Sequence, residues 1–227
     1  MTDFVYSLAT WLVPLVVAIV LHEVGHDTAA RMLGDNSLAE AGLARFDPRR
    51  YVDPIGTLAL PLVLVLIHAP VFGWARSSPT DTSRFRNPRL DKALWSLAGP
   101  MTNFFLGTVS VGLLALLLGV MKGGAINPAT NFLADNLFNF VQINIFLAVF
   151  NMLPIYPFDG AHVLEGLLPP KASREFSQLA PYGFPLLMLM LVVLPSLSPD
   201  FDVIGRFVRA LATAITTSLL GSLNILG

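Results

Sequence analysis

The sequence has no cysteine and little charge. Of its 227 residues only 13% are charged, while 54% are hydrophobic; a soluble domain carries about 25% charge. Too little polar surface is available to coat a globule of this size, and the mean hydropathy of +0.67 agrees. A soluble enzyme and a disordered chain are both excluded. Without cysteine there are no disulfides and no thiolate metal sites. A net charge of −1 gives no basic patch for a nucleic-acid partner. Histidine is also scarce: His22, His26, His68 and His162 are all there are. Any metal must be held by these or by Asp and Glu.

What is abundant is long apolar runs. The charge-free stretches are 4–21, 54–75, 93–121, 136–158, 176–199 and 210–227. About 20 apolar residues cross a bilayer as a helix, so the chain is expected to be an all-α polytopic membrane protein with five to six transmembrane segments, in contact with the lipid bilayer. The first run lacks a basic flank and an A-x-A site, and reads as a membrane helix rather than an export signal. The chain is expected to be a single domain over 1–227, with a core of about 4–170 and further C-terminal helices at about 180–227. Nothing in the sequence sets an oligomeric state.

Nine of the 14 Lys and Arg fall in two loops. Arg31, Arg45, Arg49 and Arg50 are in the first; Arg76, Arg84, Arg86, Arg89 and Lys92 are in the second. The positive-inside rule assigns both loops to the cytoplasm. The run 54–75 lies between them, and a full crossing would separate them. Its strongest stretch, 55–67, is short, contains Pro61 and is followed by His68-Ala69-Pro70. We read 54–75 as a re-entrant hairpin, with a sixth crossing as the alternative. Short membrane-embedded β-strands are expected at 51–57 and 72–75, where protein covers their backbone groups.

The chemistry concentrates in His22-Glu23-Val24-Gly25-His26, an H-E-x-x-H pattern. Residues i and i+4 share one helix face, so both imidazoles can reach one Zn²⁺, and Glu23 beside them can take a proton from water. With four His and four Glu in the chain, chance placement yields the pattern in roughly one such sequence per thousand. Ionisable groups at the end of an apolar helix are costly and mark function. A third protein ligand is needed. The candidates are Asp159, His162, His68 and Glu165. Asp159 ends the run Asn151-Met-Leu-Pro154-Ile-Tyr-Pro157-Phe-Asp159-Gly160, whose prolines stop the incoming helix; its ordinary role would be to cap the next helix. Asp27 reads either as a carboxylate orienting a ligand histidine or as an ordinary helix-end charge.

H-E-x-x-H followed by N-x-x-P-x-x-P-x-D-G resembles the site-2 protease family of intramembrane zinc metalloproteases. Ala98-Gly99-Pro100-Met101-Thr102-Asn103 is similar to the family's A-G-P-x-x-N. Phe72-Gly73-Trp74-Ala75 and Asp53-Pro54-Ile55-Gly56-Thr57 resemble a compact prokaryotic branch without an appended soluble domain. The resemblance implies a three-helix catalytic core with His22, His26 and Asp159 as zinc ligands and Glu23 as general base. It implies a transmembrane-helix protein as substrate; the charge bias of the loops puts the site toward the cytoplasmic side of a prokaryotic cell membrane. Asn103 and Asn151 match family asparagines; each is expected either to bond helix to helix or to contact substrate or the oxyanion. Asp27 and Tyr156 depart from the family pattern without removing a ligand or the base. Three alternatives are carried: a metal or proton transporter using the same His and Asp cluster, a proteolytically dead scaffold, and a membrane metalloprotease whose third ligand is Glu165 or Glu175.

Overall fold

The computed structural model describes residues 2–42, 50–59, 62–63, 75–76 and 80–223, without the side chains of 2–4 and 58. Seven helices carry the fold: α1 (Thr2–Met32), α2 (Pro88–Lys122), α3 (Pro128–Asn151), α4 (Asp159–Leu167), α5 (Pro170–Ser177), α6 (Ala180–Leu197) and α7 (Val203–Ser222). Five of them, α1, α2, α3, α6 and α7, are long and apolar enough to cross a membrane. Their outward faces carry large apolar side chains such as Phe105, Leu116 and Phe207, which suits a lipid environment and no aqueous one. The protein is an all-α integral membrane protein.

Helix boundaries follow capping chemistry more than charge. The first apolar run ends at 21, yet α1 continues to Met32 through His22, Glu23, His26 and Asp27. These groups are absorbed by protein contacts and do not stop the helix. The helix of the run 136–158, expected over 131–152, starts at Pro128, where Asn127 accepts hydrogen bonds from Ala129 and Thr130 in a capping box. It ends at Asn151, ahead of Pro154. The last helix starts at Val203 because the Asp202 side chain caps Gly205. Pro185 and Pro195 each remove a donor from α6, and Leu189–Val193 between them is wound as a π-helix.

α2 is central: it packs against α1, α3 and α4, while α3 also meets α1 and α7. One core cluster joins Val111 and Leu114 of α2 to Val141 and Ile145 of α3 and to Ala212 and Leu220 of α7. A second joins Leu153 and Phe158 to Leu187, Ile204 and Val208, so the C-terminal helices rest on the turn that carries Asp159.

No strand occurs among the described residues. The strand expected at 51–57 is a turn leading into a π-helical stretch, Pro54–Ala59. The Asp53 carboxylate accepts from the amides of Ile55 and Gly56 and so starts a helical turn. Residues 72–74, most of the second expected strand, and His68 lie outside the described residues. The ends of the 54–75 run bear on its topology. Arg76 N–H donates to Tyr51 O at 2.9 Å, and Ala75 packs beside Val20 and Val24. Tyr51 and Arg76 therefore stand together beside α1.

Candidate metal and catalytic site

α1 presents His22 and His26 one turn apart, both buried. They face α2 across two glycine contacts. A Cβ on Gly25 would overlap Thr102 Oγ1 and come within 3.1 Å of Ala98 O. A Cβ on Gly99 would overlap His26 Nε2 and lie 2.7 Å from His22 Nε2. Real Cβ atoms do not approach so closely, so only glycine lets α2 pass this near the imidazoles.

Each ring is fixed through its other nitrogen. His26 Nδ1 lies 2.8 Å from Trp95 O, and His22 Nδ1 lies 2.6 Å from Asn103 Oδ1. A carbonyl oxygen only accepts, so both Nδ1 atoms carry a proton, and in the neutral rings that bind metal both Nε2 atoms present lone pairs. The two Nε2 atoms face each other at 3.1 Å. Asp159, the first residue of α4, meets them with Oδ2 at 3.2 Å from His22 Nε2 and Oδ1 at 3.4 Å from His26 Nε2. Asp159 Oδ2 is buried without a hydrogen-bond donor among the described residues.

Two bare lone pairs and a carboxylate converging in a buried place repel one another unless a cation joins them. The three offer ligand atoms within 4.8 Å of one another. The nearest approaches, 3.1 Å between the imidazoles and 3.2 and 3.4 Å to the two different Asp159 oxygens, are near the roughly 3.3 Å that separates ligand atoms of a tetrahedral site with bonds of about 2.0–2.1 Å. The donor set, two imidazoles and a carboxylate, suits zinc.

The structure brings His22, His26 and Asp159 together. Glu23 is half-buried on the same helix and makes no hydrogen bond or ion pair among the described residues. Asp159 caps nothing; Phe158 holds the N-cap position of α4. His162 and Glu165 belong to a separate cluster. Lys92 Nζ donates to both Glu165 oxygens at 3.0 and 2.8 Å, Tyr156 OH donates to Oε2 at 2.8 Å, and His162 Nδ1 lies 3.4 Å away. Burial pushes the Glu165 carboxyl up, but bonds from Lys92 and Tyr156 outweigh it and hold the group below the ordinary glutamate range. The only other later glutamate, Glu175, is on α5.

Asn103 is fully buried and spent on the helix interface: Nδ2 donates to Ala18 O and to Asn144 Oδ1. Asn151, half-buried at the end of α3, donates to Leu147 O at 3.1 Å. Asp27 is no ordinary helix-end charge. Its buried carboxylate accepts from Tyr51 OH at 2.5 Å and pairs with Arg50 Nη2 at 3.3 Å, and Arg50 lies over the Tyr51 ring. Asn144 was not foreseen from sequence; an asparagine facing inward from an apolar helix was the available signal.

Comparison with known proteins agrees with this geometry. Residues 58–194, which include Asp159 but not His22 and His26, match the model of peptidase family M50. YwhC of Bacillus subtilis, assigned as a zinc metalloprotease, is 34% identical over 86% of this chain and 87% of its own length. Rip2 of Mycobacterium tuberculosis, likewise assigned, is 30% identical over 87% of this chain and 70% of its own. MJ0611 of Methanocaldococcus jannaschii, also so assigned, is 30% identical over 70% and 73%. No solved structure is a significant match. The chain belongs to peptidase family M50, the site-2 protease family, and is an intramembrane zinc metalloprotease.

Proposed function

We propose that His22, His26 and Asp159 hold the zinc, that Glu23 carries the proton, and that the substrate is a transmembrane helix of another membrane protein. The observation that carries this reading is the meeting of two bare Nε2 atoms and an unpartnered carboxylate oxygen. When bound, zinc supplies Lewis-acid chemistry, polarising a peptide carbonyl and making hydroxide available near neutral pH. Glu23 accepts a proton from the attacking water and returns it to the departing amide nitrogen. Trp95 O and Asn103 keep the imidazoles in the metal-binding tautomer. Asn151 is read as the donor to the peptide oxygen as charge develops. A substrate helix hides its carbonyls in its own hydrogen bonds, so it must unwind locally before attack.

The basic loops favour a site toward the cytoplasmic face of a prokaryotic cell membrane. Arg50 and Arg76 flank the Tyr51–Arg76 hydrogen bond and share one side. We read 1–227 as one unit, a core of about 4–170 sealed by the helices of 180–227. No observation favours the transport alternative.

Purified Glu23→Gln protein tests the assignment. It should keep about one zinc per chain and lose cleavage of a co-reconstituted membrane substrate, whereas His26→Ala should lose the zinc. Cleavage by the purified Glu23→Gln protein would sink the assignment.

A further inference from the structure

Two buried amides and one imidazole, on three different helices, are joined in one line. Phe140 O and Ala18 O are backbone carbonyls and can only accept. Asn144 Nδ2 lies 2.8 Å from Phe140 O, so the amino side of Asn144 faces that carbonyl and its oxygen faces Asn103. Asn103 Nδ2 lies 2.9 Å from that oxygen and 3.2 Å from Ala18 O. Asn103 therefore turns Oδ1 to His22, 2.6 Å from Nδ1. The proton of His22 must sit on Nδ1, and Nε2 is left bare. Asn103 and Asn144 are both fully buried, so neither amide meets solvent or substrate.

We propose that Asn103 and Asn144 form a positioning relay, running from α3 through α2 to α1, that fixes the tautomer of His22 and with it the zinc affinity. This rests on His22 being a zinc ligand. Asn103 then acts through His22 and makes no contact with the oxyanion. Partners of this kind behind a metal-bound histidine set affinity by about 10–100-fold.

Asn139 supplies the matched control. It lies on the same helix and is also buried, and its Nδ2 donates to Thr10 O at 2.9 Å, so it ties α3 to α1 without touching a histidine. The experiment compares zinc affinity, by chelator competition on the full-length protein in detergent, with thermal unfolding. The variants are Asn103→Leu, Asn144→Leu, Asn103→Asp and Asn139→Leu. Zinc affinity should fall about 10–100-fold in Asn103→Leu and about tenfold in Asn144→Leu. Asn103→Asp keeps an acceptor for Nδ1–H but loses both donated bonds, so it should lose thermal stability while keeping a higher zinc affinity than Asn103→Leu. Asn139→Leu should lose thermal stability and stay within about threefold of the parent in zinc affinity. If Asn144→Leu does not fold, Asn144→Ala carries the same expectation.

With only four histidines, ¹⁵N-histidine spectra of zinc-free protein give a second readout. The parent should show His22 protonated on Nδ1, and the leucine variants should show a share protonated on Nε2. Parent-like zinc affinity in folded Asn144→Leu or Asn144→Ala overturns the relay. So does an equal loss in Asn139→Leu. His26→Ala, run alongside, separates the two questions: if it keeps its zinc, the ligand assignment has failed rather than the relay.

Discussion

The two sides of the metal site are built differently. The histidine side is a pair of residues one turn apart on a 31-residue helix, set by helical geometry and held by one acceptor behind each ring. The aspartate side is the first residue of a nine-residue helix that follows a proline-broken turn. No long element fixes Asp159. Its place depends on tight packing, with Gly160 against Met152 O and Gly166 against Arg89 O and Ala93, and on the Lys92–Glu165–Tyr156 cluster that ties α4 to α2 and to the turn. One side is a rigid ruler; the other is a short piece held in place by its neighbours.

The largest expected effect strikes both sides through glycine. Gly99→Val should abolish zinc binding and lower cleavage by more than about 10³-fold while leaving the helices folded, because its new carbons meet the ends of the imidazoles. Gly160→Val meets backbone, Met152 C and O, which cannot yield, so it should lower the unfolding temperature as well. Zinc content beside thermal unfolding distinguishes them. A Gly160→Val protein as stable as the parent would show the aspartate side to be the more pliable.

Next, Asn151→Ala should lower turnover by about 10–100-fold with zinc content unchanged, since it removes a donor to developing charge. Unchanged turnover would leave Asn151 as a helix-end residue only.

A smaller effect is expected at Glu165. Glu165→Gln weakens the tie to Lys92, lets α4 shift, and should lower zinc affinity by about tenfold. Acid unfolding adds a sign. The carboxyl ionises below its ordinary value in the folded protein. Its contribution is therefore full above the unfolded value, near 4.3, and is lost as pH falls through the folded value. The glutamine variant should lack that part of the acid dependence, which thermal scans between pH 3 and pH 7 would reveal.

The smallest effect is that of Tyr51→Phe. It removes the bond to Asp27 and should cost about 1–2 kcal/mol in stability, leaving zinc content intact.

The same contrast explains what was legible in the sequence. His22, Glu23 and His26 follow one helical period, so their shared face could be read directly. Asp159 was one candidate among several until the proline motif and its resemblance singled it out, because its position comes from tertiary contacts. Glycines 25 and 99 stood inside motifs, but the imidazoles they clear could not be seen before the helices were crossed. The sequence leaves Asp27 open between an orienting carboxylate and a helix-end charge because its partners, Arg50 and Tyr51, are more than 20 residues away. The strand expected at 51–57 failed for a local reason: Asp53 can cap a turn, and that bonding won over the pull of aromatic and glycine composition. Membrane helices are found through apolar runs, while the start of α3 lies ahead of its expected place because Asn127 caps it.

The hydrogen bond from Arg76 to Tyr51 has an evolutionary consequence. It brings the two ends of the intervening stretch together beside α1. Lengthening a stretch whose ends meet is cheap: each doubling adds only about 0.6 kcal/mol of closure entropy. Insertions and deletions among relatives should therefore gather between these two residues. Substrate preference could then diversify there while the metal ligands keep their spacing.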